Sequence, residues 1–150
     1  MKQALYIIIT AITLCITTSC LQNDGYIGEL FGQWRLESIE YESNTFACDT
    51  VFFAFQSDII QVRKVNYLTY EYITFTGLYS RQDDLMQVDF YKHKGNANDA
   101  ITEEEKAAML RDLESLYIDV LSPTFVIEKL NWDEMILKYN DYRYIFTKLD

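Results

Sequence analysis

The chain has 150 residues, 49% of them hydrophobic and 15% aromatic, with one proline and five glycines; this suits one globular domain and excludes a disordered or collagen-like chain. Thirteen Lys and Arg against 23 Asp and Glu leave a net charge of -10, which repels a phosphate backbone, so nucleic acid is not an expected partner. One histidine and three cysteines leave little for metal or triad chemistry, and no cofactor is expected.

Met1-Lys2-Gln3 opens the chain, an apolar run broken by threonines fills residues 4–16, and Thr17-Thr18-Ser19 precede Cys20. A positive start, an apolar stretch and small residues before a cut form a secretory signal over residues 1–19. The run is shorter than the roughly 20 apolar residues of a lasting membrane helix. Thr17-Thr18-Ser19-Cys20 resembles the lipobox of bacterial lipoproteins, with Thr17 where leucine is usual. That resemblance implies acylation of Cys20 and anchoring in the cell envelope through acyl chains, on the outer membrane, with either leaflet open. Residues 20–30 are then the acylated cysteine and a tether, and residues 31–150 the folded domain. Cys48, between Ala47 and Asp49, is left without a disulfide partner and is expected to be a partly buried structural cysteine.

From residue 31 onward, runs rich in β-branched and aromatic residues recur with turn signals between them. They predict strands near 33–42, 50–56, 58–65, 68–80, 84–91, 124–131, 134–139 and 142–149. Short polar connections at Gln56-Ser57-Asp58, Gln82-Asp83-Asp84, Trp132-Asp133 and Asn140-Asp141 favour hairpins, and so an up-and-down meander. Tyr70 to Phe75 carry apolar residues on both faces, which predicts a strand packed on both sides. Thr102 followed by Glu105 is a capping box, and the helix it starts is expected over 103–119, with Met109, Leu113, Leu116, Tyr117 and Val120 as an apolar stripe covering the sheet. Pro123 ends that segment.

Eight such strands opening with Gly32-Gln33-Trp34 resemble the lipocalin superfamily, and the tail from Phe125 to Leu149 is similar to lipocalin-like domains of small Gram-negative lipoproteins. The resemblance implies an all-β fold, an eight-stranded antiparallel up-and-down barrel with one helix before the sixth strand. It also implies that Gly32 and Trp34 form a structural motif in which Arg143 covers the Trp34 ring by a cation–π contact. The helix position and the short chain depart from typical lipocalins, which leaves open whether the barrel is hollow or filled.

Few residues offer catalysis. His93 sits in a basic loop entry without ligand-spaced neighbours, Asp83-Asp84 and Asp133-Glu134 suit turns, and Glu103 to Glu105 suit a helix start, so no enzyme, catalytic residue or metal site is expected. Two non-enzymatic functions remain, the first the expected one and the second its alternative. One is a binder of a small apolar or amphipathic molecule, with Trp34, Tyr72, Phe75, Tyr144 and Phe146 as its wall. The other is a protein-interaction module, an inhibitor or accessory subunit of an envelope complex, built on a filled barrel with exposed tyrosines.

Overall fold

The computed structural model describes residues 28–92 and 101–149. The signal segment, Cys20, most of the tether and His93 lie outside the described residues. Among the described residues there are nine strands and one helix: β1 (Gly32–Tyr41), β2 (Asn44–Ala47), β3 (Val51–Gln56), β4 (Ile59–Asn66), β5 (Glu71–Gln82), β6 (Leu85–Lys92), α1 (Glu103–Glu114), β7 (Thr124–Leu130), β8 (Glu134–Tyr139) and β9 (Tyr142–Leu149).

Each strand runs antiparallel to its neighbour, and β9 returns to pair with β1 from Gln33↔Leu149 to Tyr41↔Tyr142, closing the sheet into a barrel. Since β9 occupies one edge of β1 along its length, β2 and β3 must share the other edge. They are two pieces of one stave, so the expected eight-stave meander is the observed fold, with its second stave broken at Cys48–Thr50. The piece 44–47 was not foreseen because polar Asn44 and Thr45 and the following Asp49 and Thr50 mask a strand signal only four residues long. The helix precedes the sixth stave, as the sequence implied.

Alternation decides what faces inward. Leu36/Ser38 and Thr76/Leu78 each mark a bulge where the period-two pattern resets. Inside, Trp34, Leu36, Phe53, Phe55, Ile60, Val62, Phe75, Met86, Phe90, Phe125, Met135, Leu137, Tyr144 and Phe146 are buried in one connected cluster. Burial on this scale, at roughly 25 cal/mol per Å² of apolar area, is what holds the fold, since Cys48 is a free thiol.

The two ends of the barrel differ. One end carries residues 28–31 and the β3–β4, β5–β6 and β7–β8 turns, and is called here the entry end. The other carries the β1–β2, β4–β5 and β8–β9 turns and the long β6–β7 connection that contains α1, and is the helix end. Two expectations need correction here. The helix stops at Glu114 and a turn follows, so Tyr117 and Val120 are exposed and only Met109, Leu113 and Leu116 of the stripe are buried. β5 starts at Glu71, not at residue 68, and its first residues are exposed rather than packed on both faces. Leu30 is also part of the core, one residue before the expected start of the domain.

Candidate functional site

At the entry end the Gly32-x-Trp34 motif has a direct physical basis. Gly32 sits at φ +118°, a conformation that side chains rarely adopt, and a Cβ there would lie 3.1 Å from Lys148 Cε. That close approach lets the Lys148 ammonium sit 5.0 Å from the centre of the Trp34 ring and 5.1 Å from that of Trp132, while donating to the Glu29 carbonyl at 2.8 Å. The Trp34 indole N–H donates to the Leu30 carbonyl at 2.8 Å. The cation over Trp34 is therefore Lys148, not Arg143. Arg143 faces out near the helix end, where its guanidinium bridges Glu40 at 2.7 Å and Glu128 at 2.6 Å. In β9 the inward residues are Tyr144, Phe146 and Lys148, and Arg143 has the opposite parity.

The interior holds four of the five side chains expected to line a ligand. Trp34, Phe75, Tyr144 and Phe146 are almost fully buried, and three of them pack in ring contacts: Phe53 against Phe146 with ring centres 4.9 Å apart, Phe75 against Phe90 at 5.5 Å, and Phe125 against Tyr144 at 6.0 Å. Tyr72, the fifth, is on the outside with Arg63 5.6 Å from its ring. On the outer wall, Gln33, Phe52, Ala54, Gln61 and Arg63 line a depression of about 10 Å³, which has room for a water molecule and no more.

The helix closes its end of the barrel. Its start is fixed by the capping box, with the Glu105 N–H donating to Thr102 Oγ1 at 3.2 Å and the Thr102 N–H donating to Glu105 Oε2 at 2.8 Å. Met109 and Leu113 point into the core, and Leu116 and Ile118 follow them. Tyr144 donates its hydroxyl to the Leu116 carbonyl at 2.8 Å, and burial pushes that phenol well above its ordinary range. Lys64 of β4 reaches across to Asp112 at 3.2 Å and to Ser115 Oγ at 2.7 Å, and Tyr139 donates to the carboxylate of Asp119. Lys64 thus ties the helix to β4, and Tyr139 and Tyr144 tie the segment that follows it to β8 and β9.

Outside the stopper lies an aromatic surface. Tyr41 and Tyr142 stack with centres 4.8 Å apart, Tyr142 and Tyr117 at 4.7 Å, and Phe46 of β2 leans on Tyr117 at 5.8 Å. The neighbouring Glu42 carboxylate holds the Tyr41 phenol above its ordinary range, with burial, Tyr142 and Asp141 adding to the effect. At the same end the β4–β5 turn presents Tyr67, Leu68 and Tyr70, with Tyr72 and Ile73 following, all exposed. The sequence reading missed this tip; the failure of period-two alternation from Tyr70 to Phe75 was its signal. Among the described residues no group of three or more His, Cys, Asp or Glu side chains is placed to hold a metal ion, and no helix is long and apolar enough to cross a membrane. Cys48 is half-buried, and burial raises its thiol above the ordinary value.

Residues 14–149 match the family model for the lipocalin-like domain. The chain belongs to the lipocalin-like domain family. Among solved structures, this lipocalin-like chain is similar to a lipocalin-like protein from Bacteroides uniformis, at 23% identity with a TM-score of 0.63, over 81% of this chain and 100% of that one. It is also similar to an uncharacterised protein from Bacteroides eggerthii, at 22% identity with a TM-score of 0.65, over 80% of this chain and 99% of that one. At these identities the two structures speak for the lipocalin-like fold alone. No curated protein matches the chain.

Proposed function

We propose that this lipocalin-like protein is a non-enzymatic interaction module of the cell envelope, an inhibitor or accessory subunit that meets another protein with the surface at its helix end. One observation carries the proposal. The interior, where a lipocalin-like barrel would hold a ligand, is occupied by the chain's own aromatic side chains and stoppered by Met109, Leu113 and Leu116, while tyrosines are left outside. Interfaces favour such tyrosines, which bring large contact area at small entropic cost. Cys20 after a short apolar run supports lipid anchoring on the outer membrane.

A second reading has support from the fold and from the amphipathic helix. If α1 swung out, a small apolar or amphipathic molecule would find the space now filled by Met109 and Leu113, lined by Phe75, Tyr144 and Phe146. Native mass spectrometry of the detergent-solubilised full chain separates the two. A retained protein partner with no bound small molecule is the expected outcome; a stoichiometric small molecule would transfer the conclusion to the carrier reading. A Cys20→Ala variant is expected to lose palmitate labelling and leave the membrane fraction, and unchanged membrane retention would remove the anchor from the proposal.

A further inference from the structure

We propose that the tip of the β4–β5 hairpin, residues 66–73, is a preformed docking finger that inserts into an apolar cleft of a partner protein whose rim carries lysine or arginine. This rests on the interaction reading above and names its surface and the chemistry of its partner.

Among the described residues, the finger extends past the last rungs that join it to its neighbours. The last tie from β4 to the neighbouring stave is the Val65 N–H donating to the Thr50 carbonyl at 2.8 Å, and the last rung from β5 to β6 toward this end is Thr76↔Lys92. Beyond Val65, among the described residues, the Asn66↔Glu71 rung closes the hairpin and no other stave pairs with it. A two-stranded ribbon is marginal by itself, so an apolar tip on one is costly to maintain without a use. Leu68 is 92% exposed and Tyr70 86% exposed, with Tyr67 and Tyr72 beside them.

The tip is also held in one shape. Asn66 Oδ1 accepts from the Leu68 N–H at 3.0 Å and the Thr69 N–H at 3.4 Å, an Asx turn. Thr69 Oγ1 accepts from the Glu71 N–H at 3.4 Å and donates to Glu71 Oε2 at 3.1 Å. Tyr70 takes φ +57°, a left-handed conformation that side chains rarely adopt. Arg63 against the Tyr72 ring braces the base. A tip already ordered loses little entropy on docking, and leucine and tyrosine at the apex of a protrusion are suited to fill a pocket.

Charge selects among possible occupants. At this end Glu42, Glu71, Glu114, Asp119 and Asp141 outnumber Arg63 and Lys64, the latter paired with Asp112, and the whole chain has a charge of -10. An anionic bilayer would repel such an end. A two-fold contact through the tip would set these acids against their own copies. A protein cleft with a basic rim satisfies both the apolar apex and the surrounding acids.

The test uses the full-length chain in cells, with a photo-crosslinking phenylalanine derivative in place of Leu68, of Phe46 beside the aromatic stack, or of Asp83 at the entry end. The expected result is one protein adduct from position 68 and none from position 83. Purified, that partner should bind the full chain with an affinity that falls at least about tenfold between roughly 50 and 300 mM salt. Leu68→Ala with Tyr70→Ala should weaken binding by at least about tenfold and leave the melting temperature within roughly 2 °C of wild type, since both side chains are exposed. An adduct of dimer mass, a lipid adduct, salt-independent binding or no adduct at position 68 would overturn the finger. Adducts from position 46 alone would overturn it while leaving the interaction reading standing. A retained small molecule with no protein adduct from any position would overturn both.

Discussion

Tyr117 holds a backbone position that glycine would take without strain. Its N–H donates to the Glu114 carbonyl at 2.9 Å and the Ile118 N–H donates to the Leu113 carbonyl at 3.1 Å, the paired bonds of a Schellman motif whose left-handed residue is Tyr117 at φ +62°. The tyrosine is retained there with its ring stacked on Tyr142 and touched by Phe46. Strain and stacking each amount to about 1 kcal/mol, so they nearly offset. The expected outcome is an inversion of the ordinary helix ranking: Tyr117→Ala, which keeps the strain and loses the rings, should be less stable than Tyr117→Gly by about 1 kcal/mol in urea unfolding. Equal midpoints would show that the turn is not strained. At the same scale, parity was the readable signal that the motif reading passed over. Lys148 shares its face of β9 with Tyr144 and Phe146, whereas Arg143 lies on the other face, so only Lys148 can meet Trp34 from inside. Tyr72 and Phe75 likewise differ in parity, and only Phe75 reaches the core.

Among the elements, α1 is the one whose removal would change what the barrel can do. Leu113 is fully buried at the stoppered end, so Leu113→Ala should cost roughly 2 to 5 kcal/mol, measured by denaturant midpoint. A variant as stable as wild type would show that the helix rests on the barrel without filling it. The β5–β6 pair turns on Gly77 at its bulge, where a Cβ would lie 2.6 Å from the Asp89 carbonyl oxygen and 3.1 Å from Phe90. Gly77→Ala should therefore destabilise by roughly 1 to 3 kcal/mol, with a lower melting temperature and a fold otherwise intact by circular dichroism. The capping box and the strand pattern of β6 were legible because each is a local signal, fixed by residues three or two apart. The break between β2 and β3 was not, because it depends on which edge of β1 the following strand finds, and the hairpin tip was not, because Asn66 ends β4 through side-chain bonds that period counting does not register.

For the molecule as a whole, burial raises the phenols of Tyr79, Tyr139 and Tyr144 above the ordinary value of 10.0. The unfolded chain releases those protons near pH 10 while the folded state keeps them. Their contribution to stability is complete below that pH and is lost as pH rises toward the folded-state values. Tyr144, the most strongly shifted of the three, sets most of that slope. Urea midpoints should be level from about pH 7 to pH 9 and fall steeply above about pH 10. Tyr144→Phe should lower stability at neutral pH by about 1 kcal/mol, through the lost bond to the Leu116 carbonyl, and make the alkaline fall shallower. An unchanged slope would place Tyr144 outside that linkage.

The seam between β1 and β9 joins the first strand of the barrel to the last, and the Arg143–Glu40 contact across it spans 103 positions of sequence. A chain that emerges amino end first, from a ribosome or through a membrane pore, carries β1 with one edge unmatched until its final residues arrive. The order of synthesis and the order of closure are thus opposed. Contacts of such long sequence separation are slow to form, because loop closure must precede any gain from pairing. The waiting edge of β1 is the place where an escorting factor would be needed most, and a chain without β9 would keep that edge open.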